Sequence, residues 1–322
     1  MKPPATRAIE QRRPEPPGPA ARSPWAVVLA GGEGVRLRPL TRRLFGEPRP
    51  KQFCPLLGAR TLLRQTLDRI EATIPVERTV VIGLESHAGL LARDLGERPR
   101  ATVLKQPIGR GTAAAVLLAA RWIEDHDPGG TAVFFPCDHF IAREDEFMAQ
   151  VAEVVGFVQR RPQWIVLLGA QPDEPEVEYG WIRPGAAVEC GLRWPLHRVA
   201  RFQEKPSRET ALAMWRDGCL WNTFVFAAAA ASVLDAGREC VPSLAGRLAR
   251  LPAFWGSEHE PWAMRHAYAL APTASFSRGV LEICSGPVAV STLPAGIWRD
   301  IGSPERAIRA MARVAGGHAW PS

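Results

Sequence analysis

Between Trp25 and Leu168 the chain alternates short, unbroken apolar runs with longer stretches whose apolar residues recur every three to four positions. The runs Ala26–Ala30, Thr79–Gly83, Thr102–Leu104, Thr131–Phe135 and Trp164–Leu168 are rich in Val, Ile or Phe and predict strands. The stretches Thr61–Ala72, Ala88–Leu95, Thr112–Asp125 and Glu144–Arg160 carry a helical period. Strands that are apolar throughout, separated by amphipathic helices, imply a mostly parallel sheet covered on both faces. Ligands on such sheets bind at the carboxyl ends of the strands. The loop after Ala30, the Gln106–Ala113 loop and Pro136–His139 all emerge on that edge.

After Pro172 the pattern breaks into short extended pieces, Tyr179–Pro184, His197–Glu204 and Leu220–Phe226, with dense Pro and Trp. This predicts a substrate-covering subdomain built onto the sheet. No internal repeat or hexapeptide period is present, so no β-helix tail is expected. A length of 322 residues allows about two domains or one large α/β domain, and 46% hydrophobic residues suffice for a sizeable core.

The net charge of +7 points toward nucleic acid only until it is located. Residues 1–24 hold five Lys/Arg against two Glu, and the remaining excess is spread without a basic stripe. That distribution suits an anionic small-molecule substrate. The leader has seven prolines and no apolar h-region, so it reads as a disordered arm rather than a signal peptide or membrane span. The longest apolar run, near Phe224–Leu234, is too short to cross a bilayer. Six scattered cysteines never form C-x-x-C, which argues against zinc and for reduced thiols. The expectation is a soluble cytoplasmic protein.

The candidate chemistry begins where the first strand ends. Leu29 and Ala30 run into Gly31, Gly32 and Gly34, three glycines within four residues, followed by Arg36 and, after a bend, Lys51. A loop without side-chain bulk lets backbone N–H groups close around phosphate oxygens, with cations arriving from either side. The spacing is neither G-x-x-x-x-G-K-[ST] nor G-x-G-x-x-G, because no lysine follows Gly34 and Leu37 replaces the third glycine. Asp138 follows the apolar run at 133–136 and can either help hold Mg²⁺, which takes one or two carboxylates plus phosphate oxygens, or cap the next helical segment. Asp300, just ahead of a helix starting near Pro304, has the same two readings.

Gln106-Pro-Ile-Gly-Arg-Gly-Thr-Ala113 is a second glycine-bearing loop that either orients a base or phosphate or simply begins a helix. Glu204 and Lys205 end an extended run, and neighbours on a continuing strand would point to opposite faces. An exposed charged turn is the alternative. His139 reads as a structural hydrogen-bonding residue, and Trp221 and Asn222 either line a pocket or pack.

The order of these pieces resembles the sugar-1-phosphate nucleotidyltransferases, most closely the mannose-1-phosphate guanylyltransferases (GDP-mannose pyrophosphorylases). The matching segments are Leu29-Ala-Gly-Gly-Glu-Gly-Val-Arg-Leu-Arg-Pro-Leu-Thr41, Pro50-Lys-Gln-Phe53, Gln106–Ala113, Pro136-Cys-Asp-His139, Glu178-Tyr-Gly-Trp-Ile-Arg-Pro-Gly185, Glu204-Lys-Pro206, Trp221-Asn222 and Trp298-Arg-Asp-Ile-Gly302. They span residues 29–302 in the family order.

The resemblance implies a Rossmann-like, three-layer α/β/α (GT-A-like) fold with a mostly parallel mixed sheet and a sugar-covering subdomain. Its expected parts are a nucleotide-binding half over 25–170, a sugar-phosphate half over 171–302 and a C-terminal helix over 303–316. The implied reaction transfers a nucleotidyl group from GTP to a hexose-1-phosphate, mannose-1-phosphate foremost, releasing pyrophosphate. It assigns Leu29, Ala30, the glycines 31, 32 and 34 and Arg36 to the nucleotide phosphates, and Lys51 to charge at the reacting phosphates. Gln106, Gly111 and Thr112 would meet the guanine and its surroundings, and Asp138 and Asp300 would hold Mg²⁺. Gly180, Glu204 and Asn222 would contact the sugar, with Lys205 on its phosphate. A homodimer is the implied assembly, with neither nucleic acid nor membrane as partner.

Three departures from the family pattern stand out. The family's Trp-Asn-Ser-Gly becomes Trp221-Asn-Thr-Phe224, which puts a ring where glycine is usual. A Ser-Ile-Asp-Tyr type segment becomes Ser275-Phe-Ser-Arg278, without the aspartate. Both bear on the sugar more than on the reaction. The sequence stops soon after Gly302, which leaves no room for the isomerase domain of bifunctional relatives. The rival readings are a nucleotidyltransferase for another NTP and sugar phosphate, a cytidylyltransferase of isoprenoid synthesis, and a catalytically silent nucleotide-sugar-binding regulator. The cytidylyltransferases would not explain Glu204-Lys-Pro206 with Trp298–Gly302.

Overall fold

A computed structural model describes residues 22–96 and 100–315. Most of the Pro-rich leader expected over residues 1–24 therefore lies outside the described residues. In chain order the elements are β1 (Trp25–Leu29), α1 (Arg38–Phe45), α2 (Leu62–Glu71), β2 (Thr79–Leu84), α3 (Ala88–Leu95), β3 (Thr102–Gln106), α4 (Gly111–His126), β4 (Thr131–Pro136), β5 (His139–Ile141), α5 (Glu144–Arg160) and β6 (Ile165–Ala170). They continue with β7 (Gly180–Val188), β8 (Leu196–Glu204), α6 (Arg208–Arg216), β9 (Leu220–Ala229), α7 (Ala230–Cys240), α8 (Pro242–Leu248), α9 (Glu260–Ala269), β10 (Val288–Thr292), β11 (Trp298–Asp300) and α10 (Pro304–Ala315).

Strand β1 explains the layering. Ala26, Val27 and Val28 are all fully buried because successive side chains enter opposite faces and each face has its own helices. Val27 joins Val80, Ile82 and the alanine-rich α4 on one side, backed by α7, α8 and α9. Ala26 and Val28 join Val81 on the other, under α2, α3, α5 and α6. The result is the three-layer α/β/α arrangement expected from the alternation. Gly237 in α7 is part of that fit, since a Cβ there would stand 2.4 Å from the Leu117 side chain of α4.

Among the described residues nine strands form one sheet in the order β3-β2-β1-β4-β9-β6-β10-β8-β7. The pairs β1–β2, β1–β4, β2–β3 and β6–β10 are parallel. Strand β9 runs antiparallel between β4 and β6, and β7 pairs antiparallel with both β8 and β9. A strand from beyond residue 171 therefore sits in the middle of the sheet, so the two halves expected from the sequence share one core. The apolar run near 224–234 is β9 passing directly into α7. Among the described residues no helix is long and apolar enough to cross a membrane.

Two features position the site. A separate antiparallel pair, β5 with β11, sets Asp300 directly opposite His139. A third apolar cluster of Leu37, Cys54, Leu56, Leu57, Leu62, Ile301, Ala307 and Ala310 fastens α10 against the glycine-loop and Lys51 segments.

The second half is richer in helix than the sequence pattern suggested. Helices α6 to α9 contain 7 to 11 residues, too few turns for a clear period, and α8 opens on Pro242, a residue that also marks loops. Strands β5 and β11 have three residues each and carry no strand pattern of their own.

Candidate active site

The glycine loop is built by close approach. Gly34 has φ 60°, and a Cβ there would lie 3.0 Å from the Lys51 backbone nitrogen and 3.1 Å from Pro50 Cα. The Lys51 segment thus lies directly against the loop, which only glycine permits. Gln52 completes the brace by donating its amide to the carbonyls of Ala30 at 3.0 Å and Gly32 at 2.6 Å. With those carbonyls engaged, the N–H side of the loop is the one left to meet an anion. Gly31 faces Gln106, whose Nε2 would be 2.8 Å from an added Cβ.

Lys51 is the centre of the arrangement. Its ammonium lies 3.1 Å from Asp138 Oδ2 and 3.5 Å from Asp300 Oδ1, and its side chain is only 10% exposed. Burial pushes the Lys51 pKa down, but the two carboxylates outweigh it and leave the pKa raised. Asp300 shows the converse. Burial pushes its carboxyl up, and Lys51, His139, Arg306 and the Gly302 N–H pull it down to about 2. At neutral pH Lys51 is therefore an ammonium and Asp300 a carboxylate. Lys51, Asp138 and Asp300 arrive from the segment after β1, the turn after β4 and the end of β11 in the separate β5–β11 pair.

The capping alternatives for the two aspartates are settled by local structure. Asp138 is followed by β5 rather than a helix. Helix α10 is capped by Ser303, whose hydroxyl accepts from the Arg306 N–H at 3.3 Å. Asp300 instead pairs with the Arg306 guanidinium at 3.5 Å and lies beside Tyr179.

His139 is structural, as its sequence context suggested. Trp298 Nε1 donates to its Nδ1 at 3.1 Å, which leaves the proton of the neutral ring on Nε2. That nitrogen is 3.6 Å from Asp138 Oδ1 and 4.0 Å from Asp300 Oδ1. Burial lowers the His139 pKa despite both carboxylates. The ring is therefore neutral at pH 7, and Lys51 and Arg306 are what hold Asp300 ionised.

Sequence reasoning missed Arg306, Tyr179 and Glu176. Arg306 pairs with Glu176, and its guanidinium lies 4.9 Å from the Tyr179 ring centroid. Tyr179 packs edge-on against Trp221 and Trp298, which makes a rigid aromatic backing for Asp300. The only sequence signal for Arg306 is its place two residues into a helix that follows Asp300.

Of the residues expected to meet the sugar, β7, β8 and β9 bring Gly180, Glu204 and Asn222 together. A Cβ at Gly180 would stand 2.7 Å from Glu204 Oε2 and 3.3 Å from Asn222 Cβ. Burial raises the Glu204 pKa against Lys205 and a hydrogen bond to Ser277. The strand ends at Glu204, and Lys205 leaves it at φ 49°, its N–H donating to Tyr179 O at 3.0 Å. Strand alternation thus does not place Lys205. Trp221 packs, whereas Asn222 Oδ1 accepts from the Phe224 N–H at 3.0 Å. Phe224 occupies the left-handed region at φ 60°, a conformation that suits the glycine usual there. Its ring turns onto Phe226 and Phe276, so the two departures from the family pattern pack against each other.

Among the residues expected near the base, Gln106 is buried and its Oε1 accepts from the Tyr268 hydroxyl at 3.2 Å. Gly111 has φ 79°, and a Cβ would collide with Ala274 O at 2.2 Å. The Thr112 hydroxyl accepts from the Phe276 N–H at 2.8 Å. Both residues thus have structural duties at the start of α4. Arg36 stands apart from the Lys51 cluster and pairs with Glu178 at 3.0 Å. A separate cleft of about 360 Å³, lined by Lys105, Pro107, Glu260 and Arg265 among others, includes none of Lys51, Asp138 and Asp300.

Known proteins resemble this chain over most of its length. The chain is 33% identical to the mannose-1-phosphate guanylyltransferase of Escherichia coli (strain K12) over 285 residues, covering 87% of this chain and 58% of that protein. It is 33% identical over 289 residues to the Salmonella typhimurium protein of the same description, with the same shares of 87% and 58%. The chain thus spans a little over half the length of these relatives. Among solved structures, a Thermus thermophilus protein described as a mannose-1-phosphate geranyltransferase superposes with a TM-score of 0.73 at 34% identity, over 87% of this chain and 77% of that one. The family model described as nucleotidyl transferase matches residues 25–316, and the chain belongs to that family.

Proposed function

We propose that this protein transfers a guanylyl group from GTP to mannose-1-phosphate, giving GDP-mannose and pyrophosphate. The observation that carries the reading is Lys51 held between Asp138 and Asp300 against a glycine loop at the carboxyl edge of the sheet. The names of the relatives supply the nucleotide and the sugar.

The chemistry asks little of a general base. A sugar-1-phosphate is largely dianionic at neutral pH, with a second pKa near ~6, so its oxygen is already the nucleophile. What opposes reaction is anion–anion repulsion, misalignment at the α-phosphorus and the charge of the departing pyrophosphate. The glycine-loop N–H groups and Arg36 are placed for the triphosphate. Lys51 carries positive charge to the point where the chains of phosphate meet. Gly180, Glu204 and Asn222 receive the sugar, Lys205 its phosphate, and Gln106 with the start of α4 the base. His139 stays neutral and packs beside the carboxylates rather than moving a proton.

Asp138 and Asp300 suit a divalent cation. Mg²⁺ prefers one or two carboxylates and completes its shell with phosphate oxygens. The two carboxylates converge on one point, marked by Lys51 Nζ, and the Asp300 pKa of about 2 keeps its carboxylate ionised. Mg²⁺ held there would neutralise charge on the triphosphate and the leaving group.

The test is phosphorus NMR of purified protein with Mg²⁺, a panel of nucleoside triphosphates and a panel of hexose-1-phosphates. The expected outcome is pyrophosphate and a sugar diphosphonucleoside, fastest with GTP and mannose-1-phosphate. A different preferred pair would overturn the specificity. No turnover with any pair, despite nucleotide-sugar binding, would make the protein a silent regulator.

A further inference from the structure

The cations of the cleft fall into two groups. Lys51 is nearly enclosed, its side chain 10% exposed and paired with Asp138 and Asp300. Arg36 and Lys205 are different. Their side chains are 58% and 44% exposed, they come from the turn after β1 and the end of β8, and both reach the same oxygen, Glu178 Oε2, at 3.0 and 3.4 Å. Glu178 is itself 46% exposed and sits in the strap that leads into β7. The strap is fixed by its backbone, since the Glu178 N–H donates to Glu176 Oε1 at 2.9 Å and Tyr179 O accepts from the Lys205 N–H at 3.0 Å.

We propose that Glu178 is a latch: its carboxylate stands in for a substrate phosphate between Arg36 and Lys205, and phosphate binding displaces it. The inference rests on the reading that these two cations serve phosphates. A carboxylate oxygen shared by two cations from distant segments is the arrangement a bridging phosphate oxygen would make. The exchange is favourable because exposed carboxylate pairs contribute little, whereas a phosphate brings more charge and more acceptor oxygens. The latch sets affinity by competing with the incoming anion. Glu178 is therefore a residue that tunes phosphate affinity, not one that reacts.

Calorimetric titration with inorganic pyrophosphate alone tests this without turnover. Glu178→Gln should bind pyrophosphate about three- to tenfold tighter than wild type, as expected for removing two partly exposed pairs. The gain should shrink at high salt. Glu258→Gln, which removes the same charge from an 88%-exposed side chain away from these cations, should stay within about twofold. Equal or weaker binding by Glu178→Gln, with an unchanged melting temperature, would overturn the latch, weaker binding showing that Glu178 orients the cations instead. A gain equal to that of Glu258→Gln would also overturn it. Turnover by the wild type is measured separately, so failure of the latch and failure of the proposed reaction are told apart.

Discussion

Replacing Lys51 by Met keeps the length of the side chain and removes its charge from between Asp138 and Asp300. At the observed separations of 3.1 and 3.5 Å, each contact represents about 5 kcal/mol of gross attraction at an effective dielectric of about 20. Burying the ammonium returns several kcal/mol of that. Removing one partner of a buried ion pair costs about 3–5 kcal/mol because a charge is left uncompensated. Two observations here reduce the figure. Asp138 is 30% exposed, and Asp300 retains Arg306 at 3.5 Å.

The expected loss of stability is therefore about 2–4 kcal/mol at pH 7. The sign of its pH dependence follows from Asp300. Its folded pKa of about 2 lies below the ordinary 3.8, so its contribution is fully present above that value and is lost as pH falls toward 2. Without Lys51 the carboxyl rises, and the gap between variant and wild type should narrow as the pH drops below about 4. Urea unfolding at pH 7 and near pH ~3.5 measures both quantities. Added Mg²⁺ should stabilise the variant more than the wild type, because the two carboxylates then lack their ammonium. A loss under about 1 kcal/mol that is equal at both pH values would refute the reasoning.

Other substitutions probe other parts of the site. Gly34→Ala places a Cβ 3.0 Å from the Lys51 nitrogen at φ 60°, so it should cost about 1–2 kcal/mol and raise the KM for nucleotide, read by thermal melts and initial rates. Glu204→Gln should stabilise the protein at pH 7 while lowering turnover. The Glu204 pKa is raised by burial, so its charged form opposes folding above its ordinary 4.5, and the gain should vanish below that value. Unfolding curves at pH 7 and near pH ~4 decide it. Trp298→Phe removes the donor that fixes the His139 tautomer, and nitrogen-15 NMR of the imidazole should show mixed tautomers where the parent shows one.

Much of this was legible because two signals are local. Unbroken apolar runs such as 131–136 can only be satisfied by burial on both faces, so the central strands and their helices were readable. The glycine loop stood out because three glycines within four residues leave no side-chain bulk, and the structure sets the Lys51 segment against it. What escaped the sequence depends on long-range register. Asp300 meets Lys51 only because the three-residue strands β5 and β11 pair, and neither shows a period. Strand β9 enters the middle of the sheet from the second half, which local pattern does not reveal. Lys205 leaves its strand in a left-handed turn, so alternation stops one residue before it. Arg306 and Tyr179 carried no site reading in the sequence, and packing sets them against Asp300. Glu178 opened a family-matching segment without a role of its own, and the two cations that reach it appear only in the fold.

The most direct measurement is pyrophosphate release by Asp138→Asn beside wild type, with Mg²⁺, GTP and mannose-1-phosphate at saturation. Lys51 keeps Asp300 in that variant and Asp138 is 30% exposed. The stability loss should therefore stay below the ~2–4 kcal/mol expected for Lys51→Met and leave the protein folded. Turnover should fall at least about 10²-fold. A folded variant that turns over at more than about a tenth of the wild-type rate would place the reaction elsewhere than between Lys51, Asp138 and Asp300.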